Sequence, residues 1–403
     1  MSLFSAPGAL RRMAIVGNHT PRQCGIATFT ADLRAALSSR FRQLDCRVLA
    51  MNEPGKDYAY PEWVRAAIAQ EDLPAYGKAA RWLNGQGLDV LSLQHEYGIF
   101  GGRAGSHVLG LLRELRLPVV TTLHTILPEP DPCQWTVMNE IIRRSERLVV
   151  MSAHGAALLQ EVHGVAARRI DLIPHGIPAV PCHGRLKRRI GLEGRQVLLT
   201  FGLLAPDKGI EFVIEAMPGI LERFPETVYV VLGASHPHVK AQQGESYRRM
   251  LEDRARSLGV AGRVIFHNRF VSQDELTAYL AAADIYITPY LKLEQITSGT
   301  LAYALGAGKA VISTPYTYAR ELLGEGRGIL VPCRDAAAIT RNVVDLLGDD
   351  ARRLAMRRLG ADYGRAMNWP VVAGSYLESF SRACVDYSAR MAPRARSWQI
   401  ALP

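Results

Sequence analysis

The residues that could do chemistry sit where short β-branched runs give way to glycine or small polar residues. In the second half of the chain these are "TFGLLAPDKG", with Gly202 and Lys208; "VLGASHPH", with His236; and "LEQITSGTLAYALGAGKAVISTP", which passes from Glu294 and Gln295 through Thr297, Ser298, Gly299 and Thr300 to Tyr303. Small side chains between a strand and a helix leave backbone amides free at the helix start, an arrangement that suits an anion such as phosphate. Lys208, one turn before the helical stretch "IEFVIEAM", is placed to add a point charge. Its alternative is a surface lysine, although a lysine at a helix start is disfavoured by the dipole unless an anion is near.

In the first half, "NHTPRQCGIATFTADLRAAL" puts Arg22 and Gly25 in a strand-to-helix bend, with Thr28 and Thr30 as candidate helix caps. The stretch is not G-x-G-x-x-G and no acidic residue is placed to grip a dinucleotide ribose, which argues against a nicotinamide enzyme. "LQHEYGIFGG" supplies His95 and Glu96, and "TTLHTILPEP" supplies His124 and Glu129. All four fall at the carboxyl ends of expected neighbouring strands, where an imidazole can bond a substrate hydroxyl or share charge with a leaving group. No Asp-x-Asp pair closes a strand and the histidines lack i, i+4 spacing, so a bound metal is not indicated. A serine hydrolase is poorly supported without G-x-S-x-G.

The elements that must position these residues read as βα units. "MAIVG", "CRVLAM", "VLSLQ", "PVVTTL", "RLVVMS" and "IDLIP" are strand candidates in the first half; "QVLLTFG", "TVYVVLG", "RVIFHNR", "IYITPY", "KAVISTP" and "GILVP" follow in the second. Between the sets lies "IPAVPCHGRLKRRIGLEGR", rich in Pro, Gly and charge. The expected fold class is therefore α/β, with two Rossmann-like domains, 1–180 and 181–375, facing across a cleft that receives ligands at the strand ends.

A chain of 403 residues, 48% hydrophobic and 21% charged, is long enough for two such cores. Its six cysteines form no C-x-x-C pair, which argues against a zinc site or disulfide framework and for a reducing, cytoplasmic setting. "MAIVG" is too short for a signal sequence or a membrane span. The net charge of +10 points to a polyanionic partner: nucleic acid, an anionic membrane surface or a phosphorylated substrate. With 7% aromatic residues and no nucleic-acid-binding motif, nucleic acid is the weakest of the three.

Taken together, "RQCGIATFTADL", "TTLHT", "DLIPHGIP", "TFGLLAPDKGIEFVIEAM" and "LAYALGAGKAVISTPYTYARELLGEGRGILVP" resemble the retaining GT-B glycosyltransferases of family 4, over nearly the whole chain. The resemblance implies a metal-independent, cofactor-free transfer of a hexose, mannose or glucose, from a nucleoside diphosphate sugar to a glycan or lipid-linked acceptor. The second domain would bind the donor and the first the acceptor, in the cytoplasm or at the inner face of the membrane. The last helix, 376–403, would cross back onto the first domain. His124 matches the family's sugar-contacting histidine, Lys208 its diphosphate lysine and Gly25 its diphosphate-facing glycine loop. The paired glutamates do not carry over: Gln295 and Tyr303 take their places, Glu294 is one residue out of register, and Leu203 replaces the usual arginine. Ribose contacts and sugar identity stay open on this pattern. So do a sugar phosphorylase, a nucleotide-sugar epimerase and a non-catalytic nucleotide- or carbohydrate-binding protein.

Overall fold

The computed structural model describes residues 10–180 and 186–392; residues 181–185 of the expected linker and 393–403 of the expected last helix lie outside them. The first half holds seven strands, β1 Arg12–Gly17, β2 Asp45–Asn52, β3 Val64–Ala69, β4 Val90–His95, β5 Val119–Leu123, β6 Arg147–Val150 and β7 Ile170–Leu172. They pair in the order β3-β2-β1-β4-β5-β6-β7, every pair parallel. The second half holds β8 Gln196–Phe201, β9 Thr227–Leu232, β10 Val264–His267, β11 Ile285–Thr288, β12 Ala310–Ser313 and β13 Ile329–Leu330. Their order is β10-β9-β8-β11-β12-β13, again parallel. Strands such as β4 and β9 are buried at every residue, because helices cover both faces of each sheet, and so they read as near-continuous apolar runs.

β3 is the strand that the sequence pattern misses. "VRAAIA" is alanine-rich and alternates in exposure along the sheet edge, so it lacks the apolar signal of a covered strand.

Five helices position the site: α1 Gly25–Arg40, α2 Ala153–His163, α3 Ile210–Arg223, α4 Gly299–Gly306 and α5 Trp369–Met391. Helix α5 begins ahead of residue 376 and lies on the first sheet. Its Val372, Ala373, Tyr376 and Phe380 share an apolar cluster with Met13, Ile15, Phe29 and Leu33. Ser379 donates to Asp171 Oδ2 at 2.7 Å, and Arg382 pairs with Asp171 at 3.0 Å. The two chain passages between the halves run side by side: Ile177 N donates to Met367 O at 2.8 Å. A Cβ on Gly176 would stand 2.3 Å from the Trp369 ring, so only glycine admits this approach.

Candidate functional site

The loops after β8 and β9 pack back to back. Gly202 has φ +130° and Gly233 φ +150°, and a Cβ on Gly233 would fall 2.0 Å from Gly202 O. The same apposition places His236, whose N–H donates to Leu204 O at 2.8 Å. Lys208 ends the short turn Pro206–Lys208 before α3. Its Nζ stands 4.0 Å from the centroid of the Tyr290 ring and 3.8 Å from Asp207 Oδ2. The Tyr290 hydroxyl is 2.9 Å from Thr300 Oγ1, which is 3.1 Å from Ser298 Oγ. Ser298 caps α4 by accepting from Leu301 N at 3.3 Å. A Cβ on Gly202 would approach Thr300 Cγ2 to 3.3 Å. The fold thus gathers Gly202 and Lys208 from the end of β8 and Ser298 and Thr300 from the end of β11 beside the first turn of α4, with Tyr290 as the link.

Other members of the expected set are engaged elsewhere. The Tyr303 hydroxyl donates to Asp32 Oδ2 of α1 at 3.0 Å, so its proton is committed to the opposite half. Glu294 is solvent-exposed. Gln295 Nε2 donates to Thr297 O at 2.8 Å, and Gln295 O accepts from Tyr318 N at 3.0 Å, so this side chain braces its own loop. Thr297 Oγ1 is buried without a partner. Gly299 was expected to be small for the sake of a phosphate. The structure adds a nearer reason, since a Cβ there would stand 2.8 Å from His175 Nε2.

In the first half, Arg22 is committed to the ends of β1 and β2. It donates to Asn18 Oδ1 at 2.9 Å and Met51 O at 3.0 Å and pairs with Glu53 at 3.1 Å. The cap of α1 is Cys24, whose Sγ accepts from Ala27 N at 3.3 Å, and not Thr28 or Thr30, which lie within the helix. Beside Gly25 an added Cβ would meet nothing within 4 Å, so the mouth of α1 is open.

His124 follows β5, and its N–H donates to His95 O at 3.0 Å. Its half-buried ring meets Phe29 edge-on at 5.0 Å and faces Gln94 Oε1 from Nε2 at 3.0 Å. His95 is fully buried with neither ring nitrogen partnered, stacked against Phe100, so it is a core side chain and not a cleft group. Burial pushes both imidazoles down to about 3, with His175 and His95 adding to the effect at His124, and it pushes His175 down to about 4. The Glu96 carboxyl is pushed up by burial, against the pull of the Thr125 hydroxyl, the Tyr97 amide and the Lys292 charge.

Contacts across the halves align the two sets. Besides Tyr303–Asp32, the Glu321 carboxylate accepts from Ala153 N at 2.8 Å and His154 N at 3.3 Å, at the start of α2. Ile296 packs in one cluster with Leu123, Ile126 and Leu158, which brings the loop before α4 against the end of β5 and therefore toward His124.

Sequence reasoning passed over Tyr290, His175, Asp32 and Gln94. Tyr290 closes "IYITPY" and Gln94 is a polar residue inside a buried strand; both were visible signals. Asp32 and His175 lie within the quoted stretches "RQCGIATFTADL" and "DLIPHGIP", but no local pattern singles either residue out.

Residues 24–179 match the family model described as glycosyltransferase family 4, and residues 195–349 that of the group 1 glycosyl transferases. The chain belongs to glycosyltransferase family 4. This glycosyltransferase is 26% identical over 391 residues to a phosphatidyl-myo-inositol mannosyltransferase of Mycobacterium leprae, covering 90% of this chain and 94% of the relative. It is 28% identical over 287 residues to a GDP-mannose-dependent alpha-(1-6)-phosphatidylinositol monomannoside mannosyltransferase of Mycolicibacterium smegmatis, covering 67% and 72%. Among solved structures, sucrose-phosphate synthase from Thermosynechococcus elongatus superposes with a TM-score of 0.72 at 18% identity, covering 91% and 97% of the two chains. Anabaena HepE in complex with UDP and glucose gives 0.72 at 16%, covering 92% and 99%. The fold is GT-B, two parallel α/β halves, and the protein is a hexosyltransferase. The phosphorylase, epimerase and non-catalytic readings give way to that membership.

Proposed function

We propose that this glycosyltransferase transfers a mannosyl group from GDP-mannose, with retention of configuration and without a metal ion, to a lipid-linked acceptor bearing an inositol phosphate. The observation that carries the reading is the likeness, along 90% of the chain, to a phosphatidyl-myo-inositol mannosyltransferase. A second relative, whose name specifies GDP-mannose, supports the donor.

In this reading the diphosphate rests on Lys208 and on the amides at the start of α4, where the helix end acts as roughly half a positive charge. Gly25 faces it from the open mouth of α1, and His124 contacts the sugar. The departing diphosphate oxygen itself takes the acceptor proton on the same face, so the protein positions the reactants and stabilises charge. Among the described residues no three or more His, Cys, Asp or Glu gather as a metal-binding group. No helix among the described residues is long and apolar enough to cross a membrane. The net charge of +10 supports peripheral contact with an anionic bilayer from the cytoplasmic side.

The test is transfer from GDP-mannose or UDP-glucose to phosphatidylinositol in vesicles, with and without chelator, the product anomer being read by NMR. An α-mannoside formed equally well in chelator supports the reading. Transfer of glucose alone would replace the sugar, a β-linked product would overturn retention, and loss in chelator restored by Mg²⁺ would overturn metal independence. His124→Ala should lower kcat far more than donor affinity, because its contact is to the reacting sugar.

A further inference from the structure

Gln94 lies fully buried in β4, one residue before the strand ends, and both ends of its amide are paired. Nε2 donates to Ser92 Oγ at 3.2 Å and reaches Thr122 Oγ1 at 3.5 Å, while Oε1 meets His124 Nε2 at 3.0 Å. Thr122 Oγ1 is in turn 3.0 Å from the Tyr376 hydroxyl on α5, so the row is anchored on the returning helix. Gly17, the last residue of β1, makes the room: a Cβ there would stand 2.8 Å from Gln94 Cβ.

An amide oxygen accepts hydrogen bonds and does not donate them, so the ring nitrogen facing it must carry the proton. With the His124 pKa held down to about 3, the ring has one proton at neutral pH. We propose that Gln94 is a positioning residue for glycosyl transfer: its Oε1 holds the His124 proton on Nε2 and leaves the Nδ1 lone pair to accept a hydrogen bond from a hydroxyl of the transferred sugar. This rests on His124 being the sugar contact. Gln94 touches no substrate and acts through the imidazole.

Long-range ¹H–¹⁵N spectra of the full chain labelled with ¹⁵N-histidine read the tautomer directly, the His124 signal being the one missing from His124→Ala. The expected pattern is Nε2 protonated in the wild type, with the Nδ1 form appearing in Gln94→Leu. In the transfer assay Gln94→Leu should lose about ten- to a hundredfold in kcat, as when the outer-shell partner of a metal-ligating histidine is removed, with donor KM little changed. Gln94→Glu keeps an acceptor and should regain turnover at alkaline pH, then lose it as pH falls, because the carboxylate raises the His124 pKa and a second proton occupies Nδ1. The titratable groups that face the ring are His175 and His95, both held neutral by burial, so the new acid limb belongs to His124. A wild-type His124 protonated on Nδ1, wild-type kcat in Gln94→Leu, or a Gln94→Glu pH profile identical to the wild type overturns the proposal. Wild-type turnover in His124→Ala, with Nε2 still protonated in the spectra of the unaltered chain, removes the sugar contact and with it the positioning role.

Discussion

The hydroxyl of Tyr303 on α4 donates to Asp32 Oδ2 on α1 at 3.0 Å, and this bond ties a helix of the second half to the helix whose first turn opens at Gly25. Burial raises the Asp32 carboxyl above its ordinary value, and the Tyr303 bond opposes that rise. Between its ordinary value and the raised folded one, the folded form therefore holds the proton more tightly, and ionising Asp32 costs stability as pH climbs.

Tyr303→Phe should take away the donor and cost about 1.5–3 kcal/mol at pH 7.5, the range for a hydrogen bond to a charged group. The deficit should narrow as pH falls and Asp32 protonates. Denaturant melts at pH 7.5 and 4.5 check it; an equal deficit at both would mean that Asp32 ionisation is not involved.

Gly299→Ala places a methyl 2.8 Å from His175 Nε2 and should destabilise the protein by about 1–3 kcal/mol, as overpacking does. His175→Ala in the same chain should restore much of the melting temperature by removing the obstacle. A single variant as stable as the wild type would show that the two halves yield at this contact.

Lys208→Ala should weaken binding of GDP by about 1.5–3 kcal/mol, the range for a charge-assisted hydrogen bond. Calorimetric titration measures it. Unchanged affinity would move the diphosphate away from the row formed by Lys208, Tyr290, Thr300 and Ser298.

His95 has its folded pKa depressed from 6.5 to about 3 by burial, so the unfolded chain takes up the proton first. Its contribution to stability is complete above 6.5 and is lost as pH falls from there toward 3. His95→Phe should flatten the dependence of unfolding free energy on pH between 6 and 4 by up to about 1.4 kcal/mol per pH unit, one proton's worth. Parallel slopes for the two proteins would contradict it.

Much of the second half was legible before the fold was known. Its strands announce themselves as β-branched runs, and the glycines and small polar residues behind them mark where a backbone must turn with positive φ or a helix must begin. Gly202, Ser298 and Gly209 do this in the structure. Such signals depend on a residue's own backbone and its nearest neighbours, which the order of amino acids contains. The same locality explains the differences: Cys24 and not a threonine caps α1, and alanine-rich β3 carries too little apolar contrast to stand out in the chain.

What the sequence alone determined, then, is the alternation of strand and helix, the two-sheet fold class and the loops that turn into a helix behind the strands. Only the tertiary structure decided which side chains those loops retain for a ligand. Arg22 is drawn off by Glu53, Tyr303 by Asp32 and the Gly299 position by His175, while Gln94 is delivered to His124 because β4 and β5 lie adjacent in the sheet. These partners come from other strands or from the opposite half, so their pairing depends on sheet order and on how closely the halves approach. Neither distance has a local signature in the chain, and a buried polar group takes whichever partner packing brings within reach.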